Sequence, residues 1–426
     1  MTFLNFAAFS LLSQNPEWII FDTTNSGLPN NIIQSMDKDI DDNIWITTYD
    51  GLTKFDGNNW TTINKSNSNL PDNKLEYITI DSAGNKWLSM GLGDLAKFDG
   101  NTWTTYNYSN SGLPYTVGVS RIAIDINNDK WVGTWDGGLA KFDGSNWTIY
   151  NSTNSNFIGV GVSRIAIDQN GNKWMCPITC FDLQNMIINH GGLVEYDGSN
   201  WTVYDTTNSG IPSNSLGSIE PDKNGNIWIG STGGLTKFDG TNWTTYDTSN
   251  SNLPKNFLVI LAIAIDINDD VWLGTVFGGL VKFDGINMTV YDTSNSDMPD
   301  MCIKALVIDS KGNKWIATCN SGLVVYRKGG VILSTGLEAN NLYNIYVYPN
   351  PTVESLIVSF YIKKPTPLTL KLIDSQGQEI RTIQNSHTKP GQNYIQFNMK
   401  DIPNGIYFIQ LITKFGTSTN KLIKMN

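Results

Sequence analysis

From about residue 30 to Tyr326 the chain alternates apolar and polar positions with period two in short runs. Stretches rich in Asn, Asp, Ser and Gly separate the runs. That is the pattern of half-buried strands joined by tight turns. The pattern itself recurs. A tryptophan follows an Asp-rich turn at Trp45, Trp87, Trp131, Trp174, Trp228, Trp272 and Trp315, at spacings of 42, 44, 43, 54, 44 and 43. Each of the first six copies continues into KFDG or EYDG, at Phe55, Phe98, Phe142, Tyr196, Phe238 and Phe283. A second aromatic follows at Trp60, Trp103, Trp147, Trp201 and Trp243, with Met288 in the sixth copy. The seventh copy decays to VVYRKGG around Tyr326.

One copy predicts four strands. In the third copy these are SRIAID from Ser120, DKWVGT from Asp129, GLAKFDG from Gly138 and NWTIY from Asn146. The first turn, D-x-x-G-N-x-W at Asp81, Asp168 and Asp309, reads as a tight hairpin. Its Asp can accept backbone hydrogen bonds and its Gly or Asn tolerates positive φ. Four antiparallel strands in about 43 residues is the blade of a β-propeller; a solenoid is the weaker alternative, since such meanders pack face to face around a ring. The seventh copy lacks its outer strand, and EWIIFDTTNSGLP at 17–29 has the form of that strand and its loop. The N-terminal strand is therefore expected to sit beside Gly322–Arg327, closing a seven-bladed ring without an open edge.

Composition agrees with an all-β chain: 16% charged residues, 14 Trp and 17 Tyr among 426 residues, with Asn, Thr, Ser and Gly abundant. The net charge of −10 is uneven. Residues 341–426 carry nine Lys+Arg against four Asp+Glu, leaving 20 against 35 in the rest. An acidic body argues against nucleic acid as a partner. The first 14 residues, MTFLNFAAFSLLSQ, resemble the core and cleavage region of a secretory signal peptide, too short to span a bilayer. The usual basic n-region is missing, which fits a misplaced start codon or a segment of another kind. No other stretch approaches transmembrane length.

The copies over 15–328 resemble the two-component regulator propeller repeat, through GNIWIGSTGGL at Gly225–Leu235 and the NSGLP-type loops. The resemblance implies the fold, and its sensor members detect polysaccharide fragments. No kinase or DNA-binding segment follows in this sequence, so the signalling role is not implied. After a linker at 329–341, residues 342–426 predict a small β-sandwich of about seven strands. This tail resembles the type A sorting domain of the type IX secretion system of Bacteroidetes. The matching features are Tyr348-Pro349-Asn350-Pro351, the turn containing Gly377, the strand from Gly405 and the basic last strand from Lys421. The resemblance implies Sec-dependent export, the secretion machinery as partner, and release or display at the outer surface.

Candidate chemistry lies in the turns between second and third strands, which share one propeller face with the loops entering each blade. They place Tyr49, Asp50, Trp135, Asp136 and Phe277 where a turn alone would serve. Blade four adds about ten residues, CPITCFDLQNMIINH, with Phe181, Asp182 and His190. Flat aromatics beside carboxylates suit a glycan, and the face could equally take a protein partner; alternatively the same side chains cap the blade tops of a structural or adhesive surface protein. The insertion reads as a long irregular loop with a role. Catalysis would rest on His190 with Asp182, one of only two histidines in the chain; no enzyme activity and no cofactor are expected. Export permits disulfides. Cys302 and Cys319 fall opposite each other in a hairpin, and Cys176 with Cys180 is a second candidate pair. Asp39-x-Asp41-x-Asn43 could suggest calcium, but its recurrence in every copy fits a turn, and no metal is expected.

Overall fold

The computed structural model describes residues 15–333, apart from 92, 116–117, 183–186, 256 and 258. It also describes residues 345–425, apart from 349, 363–366, 388–390 and 414–415. Along 180–182 and 187–190 only the backbone is described. The signal-peptide-like segment and linker residues 334–341 lie outside the described residues. The chain divides into two compact units, 1–332 and 333–426. All regular secondary structure among the described residues is β.

Seven antiparallel sheets lie in the first unit among the described residues, six of four strands and one of five. Their inner strands are Ile33–Lys38, Leu75–Ile80, Val119–Ile124, Gly161–Ile167, Leu216–Pro221, Ile260–Ile265 and Ile303–Ile308. Each inner strand packs against the next, and the first against the last, so the sheets form the blades of a closed ring. The second strand of each blade is buried on both faces, as in KWVGT at Lys130–Thr134. Apolar side chains from adjacent blades merge there into a shared core.

A repeated lock fixes the tryptophan of each blade and ties four of the blades to the next. The turn aspartates Asp39, Asp81, Asp125, Asp168, Asp222, Asp266 and Asp309 each accept the indole N–H of the tryptophan six residues on, at 2.9–3.0 Å. The other oxygen accepts backbone N–H groups of the turn, such as those of Ala83 and Asn85 on Asp81. Lysines of the following blade then cover the tryptophans: Lys86 over Trp45, Lys130 over Trp87, Lys173 over Trp131 and Lys314 over Trp272. Three of these also pair with the turn aspartate of the preceding blade, Lys130–Asp81 at 3.5 Å, Lys173–Asp125 at 3.8 Å and Lys314–Asp266 at 3.2 Å. Both oxygens of Asp39 are engaged in this way, which explains the Asp-rich turn without a cation.

Closure uses the chain's beginning. Trp18–Phe21 pairs antiparallel with Leu323–Tyr326, Trp18 opposite Tyr326 and Phe21 opposite Leu323. The Trp18 ring stacks on Tyr326 at 4.2 Å. Within this closing blade Cys302 and Cys319 form a disulfide beside the Ile303–Thr318 pair. The second candidate bridge is corrected by the backbone. Cys176 is a buried free thiol. Cys176 and Cys180 lie four residues apart on the extended strand Lys173–Asp182, roughly 13 Å from one another, too far for a disulfide.

Among the described residues the second unit has a three-stranded sheet and a four-stranded sheet. Its core includes Val358, Phe360, Leu370, Leu372, Ile409 and Leu411. Asn350 of the entry motif ties the first segment to the last strand: its amide donates to the Lys421 carbonyl at 2.8 Å and its side-chain oxygen accepts the Ile423 N–H at 2.9 Å. Pro351 follows it across a cis bond. The side chain of Tyr348 and all of Pro349 lie outside the described residues. Gly377, at φ +83°, completes the turn in which Asp374 accepts the N–H groups of Gln376 and Gln378. Gly405 opens the strand Gly405–Thr413.

Candidate binding sites on the loop face and in the central channel

The second-to-third-strand turns of neighbouring blades meet at one end of the ring. There Gly138 donates to Val160 of the next blade at 2.8 Å, Gly279 to Met301 and Gly322 to Asn31. Tyr49 and Asp50 are exposed on this face. Lys74 lies over the Tyr49 ring at 5.5 Å, and Asp50 accepts the Asn30 amide at 2.7 Å. Asp136 is exposed and Trp135 half-buried. A Cβ at Gly118 would come within 2.6 Å of the Trp135 ring, so only glycine admits the indole there. Phe277 is 56% exposed at φ +70°. A bulky residue in that region is strained, and such outliers collect at functional positions.

The insertion is not an irregular loop. The second strand of blade four runs ten residues, and Ile187–His190 folds back on it with Ile178 opposite His190 and Asp182 opposite Ile187. The described extra residues pair their backbones across this ladder, which is cheaper than a buried loop without partners. The side chains of Phe181, Asp182, His190 and Cys180 lie outside the described residues. In the entering loops the structure adds exposed side chains that the repeat pattern hid. Tyr108 and Tyr115, 63% and 73% exposed, meet edge to face at 5.1 Å in the loop entering blade three. Ile158 and Val160, also exposed, lie in the loop entering blade four, where Val160 donates to Ile178 of the extended strand at 2.7 Å. Tyr108 and Tyr115 stand out by comparing loops rather than strands.

The second site is the channel between inner strands, with a volume of about 350 Å³. Every inner strand carries a bulge near its start, for example between Val119 and Arg121, and between Val162 and Arg164. A bulge turns the following side chain away from the ladder. Ser35, Arg121, Arg164, Ser218, Ala262 and Ala305, each just after its bulge, and Tyr77, within the bulge of blade two, all line the channel. Lys304 joins them from the bulge of blade seven. The Arg121 guanidinium lies over the Tyr77 ring at 4.3 Å. Arg164 donates to the carbonyls of Gly217 at 2.6 Å and Ser163 at 2.8 Å, and Lys304 donates to Gln34. Further along, Asp37 and Glu220 occupy the place opposite the blade tryptophan, where other blades have Thr79, Ala123, Ala166, Ala264 and Val307.

Protein surrounds these groups, so their charged forms are poorly solvated. Burial pushes Glu220 up to about 8, with Asp37 adding to it, and Asp37 up to about 6. Burial and then the like charge of Arg121 push Arg164 down to about 9; burial lowers Arg121 as well. The sequence signal for this site is a charge in a strand otherwise built of Ile, Ala, Val and Ser, as in VSRIAI at both Arg121 and Arg164.

No curated protein matches the chain. Among solved structures, the chain is similar to the extracellular domain of the hybrid two component system BT3049 from B. thetaiotaomicron. The identity is 18% and the TM-score 0.61, over 96% of this chain and 57% of that one. It is also similar to the extracellular domain of BT4673 from the same organism, at 15% identity and a TM-score of 0.58, over 97% and 60%. The chain thus spans less than two thirds of these neighbours. Virginiamycin B lyase from Staphylococcus aureus shares the propeller at 15% identity and a TM-score of 0.55, over 73% of this chain and 99% of that one. These likenesses show the fold alone. Among the described residues no helix is long and apolar enough to cross a membrane. Residues 210–233 match the two component regulator propeller and residues 346–425 the secretion system C-terminal sorting domain. The chain is therefore a β-propeller bearing a regulator-type repeat, followed by a type IX sorting domain that directs it to secretion or the cell surface.

Proposed function

We propose that the protein is an exported binding module, not an enzyme, and that it holds a glycan on the loop face around blades three and four. The supporting observation is the exposed apolar surface of the entering loops, Tyr108 with Tyr115 at blade three and Ile158 with Val160 at the blade-four hairpin. Flat rings offer sugar faces a dry surface, and Asp136 nearby supplies a hydrogen-bond acceptor. Exposed aromatics of this kind collect at recognition surfaces rather than in monomer exteriors without a partner. Export to the cell exterior puts the module where polysaccharides are met.

The test is a glycan array probed with the full chain, beside a Tyr108→Ala/Tyr115→Ala variant and one with 181–189 replaced by a short Gly-Ser turn. Saturable binding by the parent, weakened at least tenfold in both variants, is expected. A well-folded parent that binds no glycan would overturn the reading in favour of a structural or adhesive surface role.

A further inference from the structure

From the charges gathered at one level of the channel we infer that it seats the carboxylate of an acidic sugar, a uronate, between Arg121, Arg164 and Lys304. The inference deepens the proposed glycan recognition and rests on it for the sugar. Its residues are separate from the loop face.

Three cations come together there, from blades three, four and seven, although the first 340 residues carry a net negative charge. Glu76 is the carboxylate within electrostatic reach of both Arg121 and Lys304, so the level carries excess positive charge. The Arg121 side chain makes no hydrogen bond to a described residue, and its guanidinium lies over the face of Tyr77. Arg164 commits two nitrogens to backbone carbonyls and keeps further N–H groups for a ligand. Neither arginine forms a salt bridge with a described carboxylate. A guanidinium surrounded by protein and lacking an anion is costly, and a bidentate carboxylate is the partner its planar fork fits.

The rest of the wall narrows the ligand class. The polar residues Gln34, Ser35, Tyr77 and Ser218 line the same cavity, Gln34 accepting from Lys304 and the Ser218 hydroxyl donating to the Ile260 carbonyl. These groups suit the hydroxyls of a sugar ring, and about 350 Å³ lies in the range of small-ligand pockets. The planar guanidinium forks pair edge to edge with a planar carboxylate, which favours it over a tetrahedral sulfate or phosphate ester.

The test is calorimetric titration of the full chain with sodium D-glucuronate, D-glucose and sodium sulfate at constant ionic strength. Saturable binding of glucuronate alone is expected, weakened at least tenfold in Arg121→Gln and in Arg164→Gln. Lys304→Met, which touches no backbone carbonyl, serves if either arginine variant fails to fold, and is expected to weaken binding by a similar factor. Binding should persist in Tyr108→Ala/Tyr115→Ala. Absence of glucuronate binding, equal affinity for sulfate, or unchanged affinity in the folded channel variants would overturn the inference. Glycan-array binding retained alongside such a result would leave the loop-face reading standing.

Discussion

At the scale of single residues, the turn aspartate does more than shape a hairpin. One oxygen organises the turn and the other fixes the indole. In blades one, two, three and six a lysine of the next blade lies across that indole. Asp81→Ala leaves the Trp87 N–H, turn amides and Lys130 without their acceptor, and is expected to cost about 2–3 kcal/mol. Asp168→Ala should cost less, because Ile227 replaces the lysine in the following blade. Urea unfolding followed by tryptophan fluorescence compares the two. The Asp and Trp were legible in the sequence as a repeat at constant spacing. Their bond was not, since a six-residue separation becomes a contact only once the hairpin register is known. The channel acids give a second residue-scale expectation. Their pKa values are raised on folding, so the folded state holds more protons than the unfolded one between about pH 4 and 8. Stability from these groups is complete at the acid end and falls as pH rises through 6 and 8. In Asp37→Asn/Glu220→Gln, with Arg121, Arg164, Lys304 and Tyr77 still facing the site, the urea midpoint should fall less between pH 5 and 8 than in the parent. An unchanged slope would count against buried carboxylates in the channel.

At the scale of elements, strand order followed from periodicity because one face of each strand is buried and register slips would expose it. The closing strand was legible for the same reason: its missing partner at Tyr326 was visible as a gap in the repeat. The insertion was not, because CFDLQNMIINH has no alternation to distinguish a hairpin from a loop. The bulges escaped too, since an extra residue in a run of Ile, Ala and Ser leaves no compositional mark. The closing blade carries the disulfide, and Asp300 braces it by accepting the N–H groups of Cys302 and Asn320. Reduction is expected to lower stability by about 3 kcal/mol, read as a fall in Tm with dithiothreitol that Cys302→Ser/Cys319→Ser reproduces. Cys176 should resist alkylation at pH 8 in the folded chain, because burial pushes its thiol up to about 12.

At the scale of the whole molecule, the sequence separates what builds the ring from what lines it. Tryptophans, aspartates, FDG turns and NSNLP loops are nearly constant from copy to copy. One position at or just after each bulge is not: Ser35, Tyr77, Arg121, Arg164, Ser218, Ala262 and Ala305 share neither size nor charge. The sequence therefore announced the architecture loudly and the channel faintly, since single departures from a repeat look like drift until the ring brings them together. The folding information and the variable lining occupy different residues of the same strand. A ring of this kind behaves like a combination lock with seven dials around one keyhole. Turning a dial changes what enters while the casing stays intact, so a lineage could exchange one ligand for another by single substitutions, without first relearning how to fold.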